Sequence, residues 1–229
     1  ILPITPLTLL YGSNDSGRTV HQKSVQMNKL MRVAASKLNL ARHPCGRRQD
    51  VHLHGPTDIE GHRGNDGKYY VIDFARVFPP TAERGVRHTY LYRLFRPEFV
   101  KLYPTPLSSD SFSPFGGQGK EDSFNLAVIE ATRSLILEQI PRCAEWLNSQ
   151  VDIVDMTEQL TELVHRQGIN LRYLGLLRQL VSPQLKPLLL REMVARCIKC
   201  KLREKLREAC RKSKTLAEDF FKYVVIEFL

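Results

Sequence analysis

The sequence predicts two parts of different class: an α+β first half, with a short antiparallel hairpin and helices, and an all-helical second half. Three observations carry this. "GNDGKYYVIDFARVFPP" (64–80) joins a turn dipeptide to a run of β-formers and a proline stop. "LSSDSFSPFGGQGK" (107–120) has the Ser, Gly and Pro content of a linker. Beyond it, apolar residues recur at helical spacing to the end of the chain. The expected division is therefore 1–106, a linker at 107–120, and 121–229.

In the first half, "VQMNKLMRVAASKLNL" (25–40) reads as a helix with Val25, Leu30, Met31, Ala34 and Leu38 on its apolar positions. Ser24 is its expected N-cap. "DVHLH" and "TDIEGH" read as short strands around a Gly-Pro turn, and "KYYVIDF" as a third. Asp66-Gly67 predicts a type I′ turn, which needs positive φ at both central residues. "TYLYRLFRPEFV" (89–100) predicts a helix that stops before Pro97, then a second segment.

In the second half, residues 121–149 carry Phe124, Val128, Ala131 and Leu135 on one face, with Ile140 beyond a turn and Trp146 after it. A shorter helix over 156–167 stops at Gly168. Asn170 is placed to cap "LRYLGLLRQLVS", which ends before Pro183. A long helix follows over 188–212, and "LAEDFFKYVVIEFL" closes the chain. No fixed-period repeat is present.

The chain has 229 residues, 42% hydrophobic and 25% charged, enough for one large or two small domains. No apolar run is long enough to span a bilayer, so membrane insertion is not expected. "ILPITPLTLL" holds two prolines and no basic residue and reads as strand or linker rather than a signal peptide. The chain does not open on Met, and a piece of something longer is expected. The formal charge of +10 points to an anionic partner. Five cysteines, odd in number and unevenly spread, fit reduced thiols in the cytoplasm. Cys197 and Cys200 form a CxxC without a second pair, within a helical pattern, and are expected as buried helix-face thiols.

The hairpin raises a chemical question. Asp73 stands where the strand ends, just ahead of Phe74. Protein kinases and inositol phosphate kinases place a magnesium-holding Asp there, in Asp-Phe-Gly or Asp-Phe-Ala, and "IDFARVFPP" resembles the latter enzymes in particular. A distant kinase-like core would use Asp73 with Glu60 and Asp58 as oxygen ligands. The other kinase parts are missing: no His-Arg-Asp, no assignable Lys and Glu pair. The loop "YGSNDSGRT" (11–19), able to cradle an anion through its backbone, matches neither a Walker motif nor a kinase glycine loop. The competing reading makes Asp73 a fold residue whose carboxylate caps backbone N–H groups in the next turn. His52, His54, His62 and Glu60 offer a His–His–carboxylate set, but paired strand histidines are ordinary polar surface. No catalytic residue, metal or cofactor is expected.

"YGSNDSGRTV", "DIEGHRGNDGKYYVIDFARVFPP" with "YLYRLFRPEFV", and "HRQGINLRYLG" resemble the Clu, or clustered mitochondria, family over about residues 10–105 and 160–205. "GINLRYLG" resembles the region after the Clu domain, often labelled after a translation initiation factor 3 subunit. The resemblance implies large cytosolic proteins that distribute mitochondria and bind messenger RNAs for mitochondrial proteins. It also implies a ubiquitin-like region before the Clu domain and tetratricopeptide-type repeats later, neither of which is visible here. No catalytic motif is transferred with it.

Residues 191–214 concentrate the charge. Arg191, Arg196, Lys199, Lys201, Arg203, Lys205, Arg207, Arg211, Lys212 and Lys214 stand against Glu192, Glu204 and Glu208, a sum of +7. Leu190, Val194, Cys197, Ile198, Leu202, Leu206 and Ala209 mark the other face, expected to pack on the helical half. The cationic face can hold a phosphate backbone without reading sequence. The expected function is a non-enzymatic interaction module that binds RNA or a ribosomal or mitochondrial protein. The alternative is a kinase-like phosphotransferase or nucleotide-binding relic. No oligomeric state is implied.

Overall fold

The computed structural model describes residues 3–47, 50–83, 85–115, 122–150 and 153–212. The expected closing helix and Lys214 lie outside the described residues. The chain forms two compact units. One comprises Ile1–Cys143 and Glu158–Leu171, the other Ala144–Thr157 and Arg172–Leu229. The α+β first part and the helical second part are both present.

The first unit opens with a 3₁₀ turn and β1 (Leu9–Gly12), β2 (His21–Gln22) and α1 (Val25–Leu38). The strands β3 (Arg42–Cys45), β4 (Val51–His54), β5 (Glu60–Arg63) and β6 (Tyr69–Ile72) follow. One antiparallel sheet has the order β2-β1-β5-β6, and β3 and β4 form a second. Tyr11, Met27, Met31, Cys45, Leu53 and Ile59 make the core where α1 meets the strands. Gly12 sits at φ +85, and a Cβ there would lie 1.6 Å from the Ile59 carbonyl oxygen, so β1 and β5 need glycine at this crossing.

Ser24 caps α1 as expected, its hydroxyl accepting from Met27 N at 3.2 Å. The buried face of α1 is Met27, Met31 and Ala35, while Val25 and Leu30 are exposed. The expected stripe thus sat to one side of the true one, because a helix this rich in apolar residues has more than one plausible stripe. Asn39 ends α1 in the left-handed region and donates to the carbonyls of Val100 and Tyr103 at 2.8 and 2.6 Å.

The β5–β6 hairpin pairs Glu60 with Ile72 and Arg63 with Tyr69. Its turn is not type I′: of Asp66 and Gly67, only Gly67 has positive φ. Gly67 N donates to Gly64 O and Gly64 N to Lys68 O, each at 2.8 Å, giving a five-residue loop closed by the glycine. The Asp66 side chain is used differently, accepting from Tyr70 Oη at 2.6 Å and Lys68 N at 3.1 Å.

Pro97 interrupts helicity as expected, but what precedes it is one turn, α2 (Thr89–Tyr92), and Pro97 itself opens α3 (Pro97–Leu102). Residues 107–113 do not form a solvated tether. Leu107, Ser108, Ser109, Asp110, Ser111 and Ser113 are all buried. Short hydroxyl side chains can satisfy themselves on neighbouring backbone, so a Ser-rich stretch can pack inside. Ser111 Oγ donates to Phe124 O at 3.2 Å, and Ser109 Oγ donates to Val77 O.

The helices α4 (Ser123–Ser134) and α5 (Ile140–Asn148) are joined by a π turn, Leu135–Gln139, in which Ile140 N donates to Leu135 O. Pro141 follows, and its missing N–H accounts for the widened turn. After α6 (Ile153–Arg166), Gly168 stops the helix at φ +75, with Phe99 backbone atoms within 2.9 Å of where a Cβ would stand. Asn170 does not cap the next helix: it donates to Leu94 O at 2.9 Å, and α7 (Leu174–Leu180) starts from Tyr173. α8 (Lys186–Lys212) is the longest element and packs its first turns against α7.

Candidate functional site

The three acids of the kinase-like alternative are separated. Asp58 receives Arg76 Nε at 2.9 Å and Arg76 Nη2 at 2.6 Å. Glu60 lies 3.1 Å from His62 Nε2. Asp73 is exposed, and its carboxylate accepts no hydrogen bond among the described residues, so it does not cap the turn either. Its distinguishing feature is backbone: φ is +54, in the left-handed region. Asn tolerates that region at least as well as Asp. Asp73→Asn is therefore expected to change the unfolding free energy by no more than a surface substitution does, about 0.5 kcal/mol. Differential scanning calorimetry checks this, and a large loss would mean that the charge itself holds the bend.

In the loop 11–19 two of the backbone donors that an anion would use are engaged internally: Gly17 N on Ser13 Oγ at 2.9 Å, and Thr19 N on Asp15 Oδ1 at 2.9 Å. The histidine set does not converge either. His52 is exposed on β4, in the other sheet, while His62 is buried between Glu60 and Thr8.

Arg76 and Asp110, which the sequence did not single out, organise the first unit. Asp110 is fully buried. Its Oδ2 accepts from Thr57 N at 2.8 Å, Thr57 Oγ1 at 2.6 Å and His43 Nε2 at 3.1 Å. Its Oδ1 accepts from Arg76 Nη2 at 3.2 Å. The Arg76 guanidinium also lies 5.5 Å and 5.4 Å from the ring centres of Tyr90 and Phe115. The His43 ring faces acceptors on both sides, Ala41 O at 3.2 Å and Asp110 Oδ2. Two donating ring nitrogens define the imidazolium. Burial works against that charge, but the hydrogen bonds of Asp110 and Cys45 and the charge of Asp110 outweigh it and raise His43 to about 10. Burial likewise opposes the Asp110 carboxylate, and His43, Arg76 and Thr57 together hold it below its ordinary value. The node is two cations against two carboxylates and is neutral overall.

His43, Cys45 and Asp110 offer ligand atoms within 4.8 Å of one another, the one such group among the described residues. They do not suit a metal. Asp110 Oδ2 and His43 Nε2 are already spent on hydrogen bonds, and a dication would sit beside the Arg76 guanidinium. The node locks β3, the turn at Thr57, the segment after Asp73 and the serine strap to one another.

A surface able to engage a polyanion lies in the second unit. Arg172, Arg196, Lys199, Arg203 and Arg207 line a cleft of about 480 Å³ along α8, with Glu204 its single carboxylate and Cys197 and Cys200 at its wall. Helical spacing puts 196, 199, 203 and 207 on one stripe. Of the expected RNA-binding residues, Arg196, Lys199, Arg203 and Arg207 are thus brought together. Arg191, Lys201 and Lys205 stand outside the cleft, and Arg211 is exposed beyond it. Arg172 was missed because it lies on a different element, the 3₁₀ turn Leu171–Tyr173.

The apolar face of α8 is not packed away as expected. Leu190, Val194 and Ile198 are 43, 48 and 39% exposed, and Cys197 and Cys200 are exposed rather than buried.

Comparison with known proteins finds two family models along the chain. Residues 2–83 match the family model Clustered mitochondria, and residues 153–224 match Translation initiation factor eIF3 subunit 135. A Clustered mitochondria protein homolog of Candida glabrata is 26% identical over 180 residues, covering 66% of this chain and 14% of that protein. Protein clueless of Drosophila mojavensis is 36% identical over 77 residues, covering 32% of this chain and 5% of that protein. The human Clustered mitochondria protein homolog is 35% identical over 75 residues, covering 32% and 6%. The chain therefore spans a small fraction of the length of the curated relatives it matches. No solved structure matches. With both family models found in one chain, and Clustered mitochondria protein homologs among its relatives, the chain matches the Clu, or clustered mitochondria, family in both of these regions.

Proposed function

We propose that this chain is a non-enzymatic, cytoplasmic interaction module of a Clu-family protein. It binds the phosphate backbone of RNA along α8 and through it contributes to the distribution of mitochondria. The observation that carries this is the cleft in which five cations face one carboxylate. Backbone amides play no part in it, since those of a helix interior are already paired. Recognition is by charge and is sequence-tolerant. No aromatic side chain lines the cleft, so bases do not stack there. The match of residues 153–224 to an initiation-factor subunit model supports a setting close to translation. No described helix is long and apolar enough to cross a membrane.

The test is a salt titration with short single-stranded polyuridine. Replacing Arg196, Lys199, Arg203 and Arg207 by Glu removes about four phosphate contacts, so the slope of log K against log salt falls by roughly 3. A triple variant at Arg191, Lys201 and Lys205, outside the cleft, changes the slope by less than about 1. Circular dichroism confirms that α8 persists. Equal effects per charge in the two variants, or no effect in either, would refute the cleft.

A further inference from the structure

The first unit carries an apolar groove of about 400 Å³ between α1 and the end of the hairpin. Ala34 and Leu38 form one wall, and Val71, Phe74, Val77 and Phe78 form the other. Most of the signature stretch "VIDFARVF" that is not tied into the buried node opens into this groove. Phe74 is 64% exposed. An aromatic ring left that open beside an apolar depression is the mark of an interaction surface.

Two further features lie next to it. β6 is the last strand of its sheet, and no described strand pairs with its outer edge. It carries Tyr69, Val71 and Ile72, each more than a third exposed, and no proline within its span. Natural sheets blunt such edges with charge, proline or a covering element. On the other flank of α1 a second cleft, of about 450 Å³, is lined by Lys29, Arg32 and Arg42. His54 belongs to both clefts, so they adjoin. No carboxylate lines either one.

We infer that this surface binds an extended, acidic segment of a partner protein, which adds to β6 as a further strand. Its main chain pairs with the free edge of β6. Alternate apolar side chains enter the groove between Leu38 and Phe74. Carboxylates that follow them meet Lys29, Arg32 and Arg42. The free sheet edge favours a peptide over a lipid. An acyl chain would fill the groove but would leave the N–H and C=O groups of β6 without partners other than water. The basic cleft favours acidic sequence, because Lys29, Arg32 and Arg42 line it and no carboxylate does. This inference stands apart from RNA binding, which is placed in the second unit.

The test pans a phage-displayed library of random dodecapeptides against the full chain. The strongest enriched peptide is then synthesised with a fluorophore. The expected consensus alternates apolar residues and carries Asp or Glu. Phe74→Asp and the milder Phe74→Ala weaken its binding by about tenfold or more, with unchanged melting temperatures because the ring is exposed. Lys29→Glu with Arg32→Glu weakens it most at low salt. Hydrogen exchange shows new protection along 69–72. No enrichment, equal binding by Phe74→Ala, or protection that spares β6 would each overturn the inference. So would a concentration-dependent dimer that Phe74→Asp abolishes, since a second copy would then be the occupant. Binding to anionic phospholipid vesicles that the peptide cannot displace would overturn it too.

Discussion

Asp110→Asn is expected to lower the unfolding free energy by about 3–5 kcal/mol, the usual consequence of removing one partner from a buried ion pair. The reason lies in what the substitution leaves behind. Thr57 N and Oγ1 keep an acceptor, but the His43 imidazolium and Arg76 then share only the charge of Asp58. His43 escapes by losing its proton, which forfeits its tie to the strap. Arg76 has no such escape, and its Nη1 is already buried without a hydrogen-bond partner. Asp58→Asn should cost less, because the Asp58 side chain is 29% exposed and water takes part of the load. Urea unfolding at neutral pH, with m unchanged, provides the measurement. A loss below about 1 kcal/mol for Asp110→Asn would show that the strap holds the unit without its charge.

The same node shows what the sequence made legible. The hairpin, the N-cap at Ser24 and the stop at Gly168 were readable because each depends on residues within a few positions of one another. Arg76 was not. It stands three residues after the Asp73 that drew attention, yet its partner Asp110 is 34 residues further on, within serines whose composition reads as linker. Composition reports how a segment behaves in water, and it does not report that four hydroxyls can be satisfied on nearby backbone. The turn type was missed for a related reason. Asp-Gly is shared by several turn classes, and the side chain of Asp66 found Tyr70 and Lys68 N instead of supporting positive φ. On α8 the cationic stripe was legible from spacing alone. Arg172, which completes the cleft, comes from another element. The apolar face of α8 reads as core by periodicity, but periodicity fixes a face and not what covers it.

Stability is expected to fall as pH rises from about 6.5 toward 10, and His43 is the cause. Its folded pKa, raised to about 10 by Asp110 against the opposing effect of burial, exceeds its unfolded value of 6.5. A group raised in this way contributes fully below its unfolded pKa and loses its contribution as pH climbs through the folded one. Between those limits the unfolding free energy drops by at most about 1.4 kcal/mol per pH unit for one proton. Asp110 acts at the other end: held below its ordinary value, it contributes above that value and is lost as pH falls through its folded pKa. His21 and His54, both lowered by burial first and then by neighbouring charge, oppose His43 near neutrality. Cys143, pushed up to about 12 by burial, adds to the loss only above the ordinary thiol range. The discriminating window is therefore about pH 6.5 to 8, read as the difference between wild type and His43→Gln, which cancels the other groups. Glutamine can still donate to Asp110 but cannot carry charge. Wild type should be the more stable at pH 6, and the gap should narrow as pH rises. A gap that stays constant across the window would mean that His43 is neutral in the fold, and that the Asp110 carboxylate rests on Arg76 and Thr57 alone.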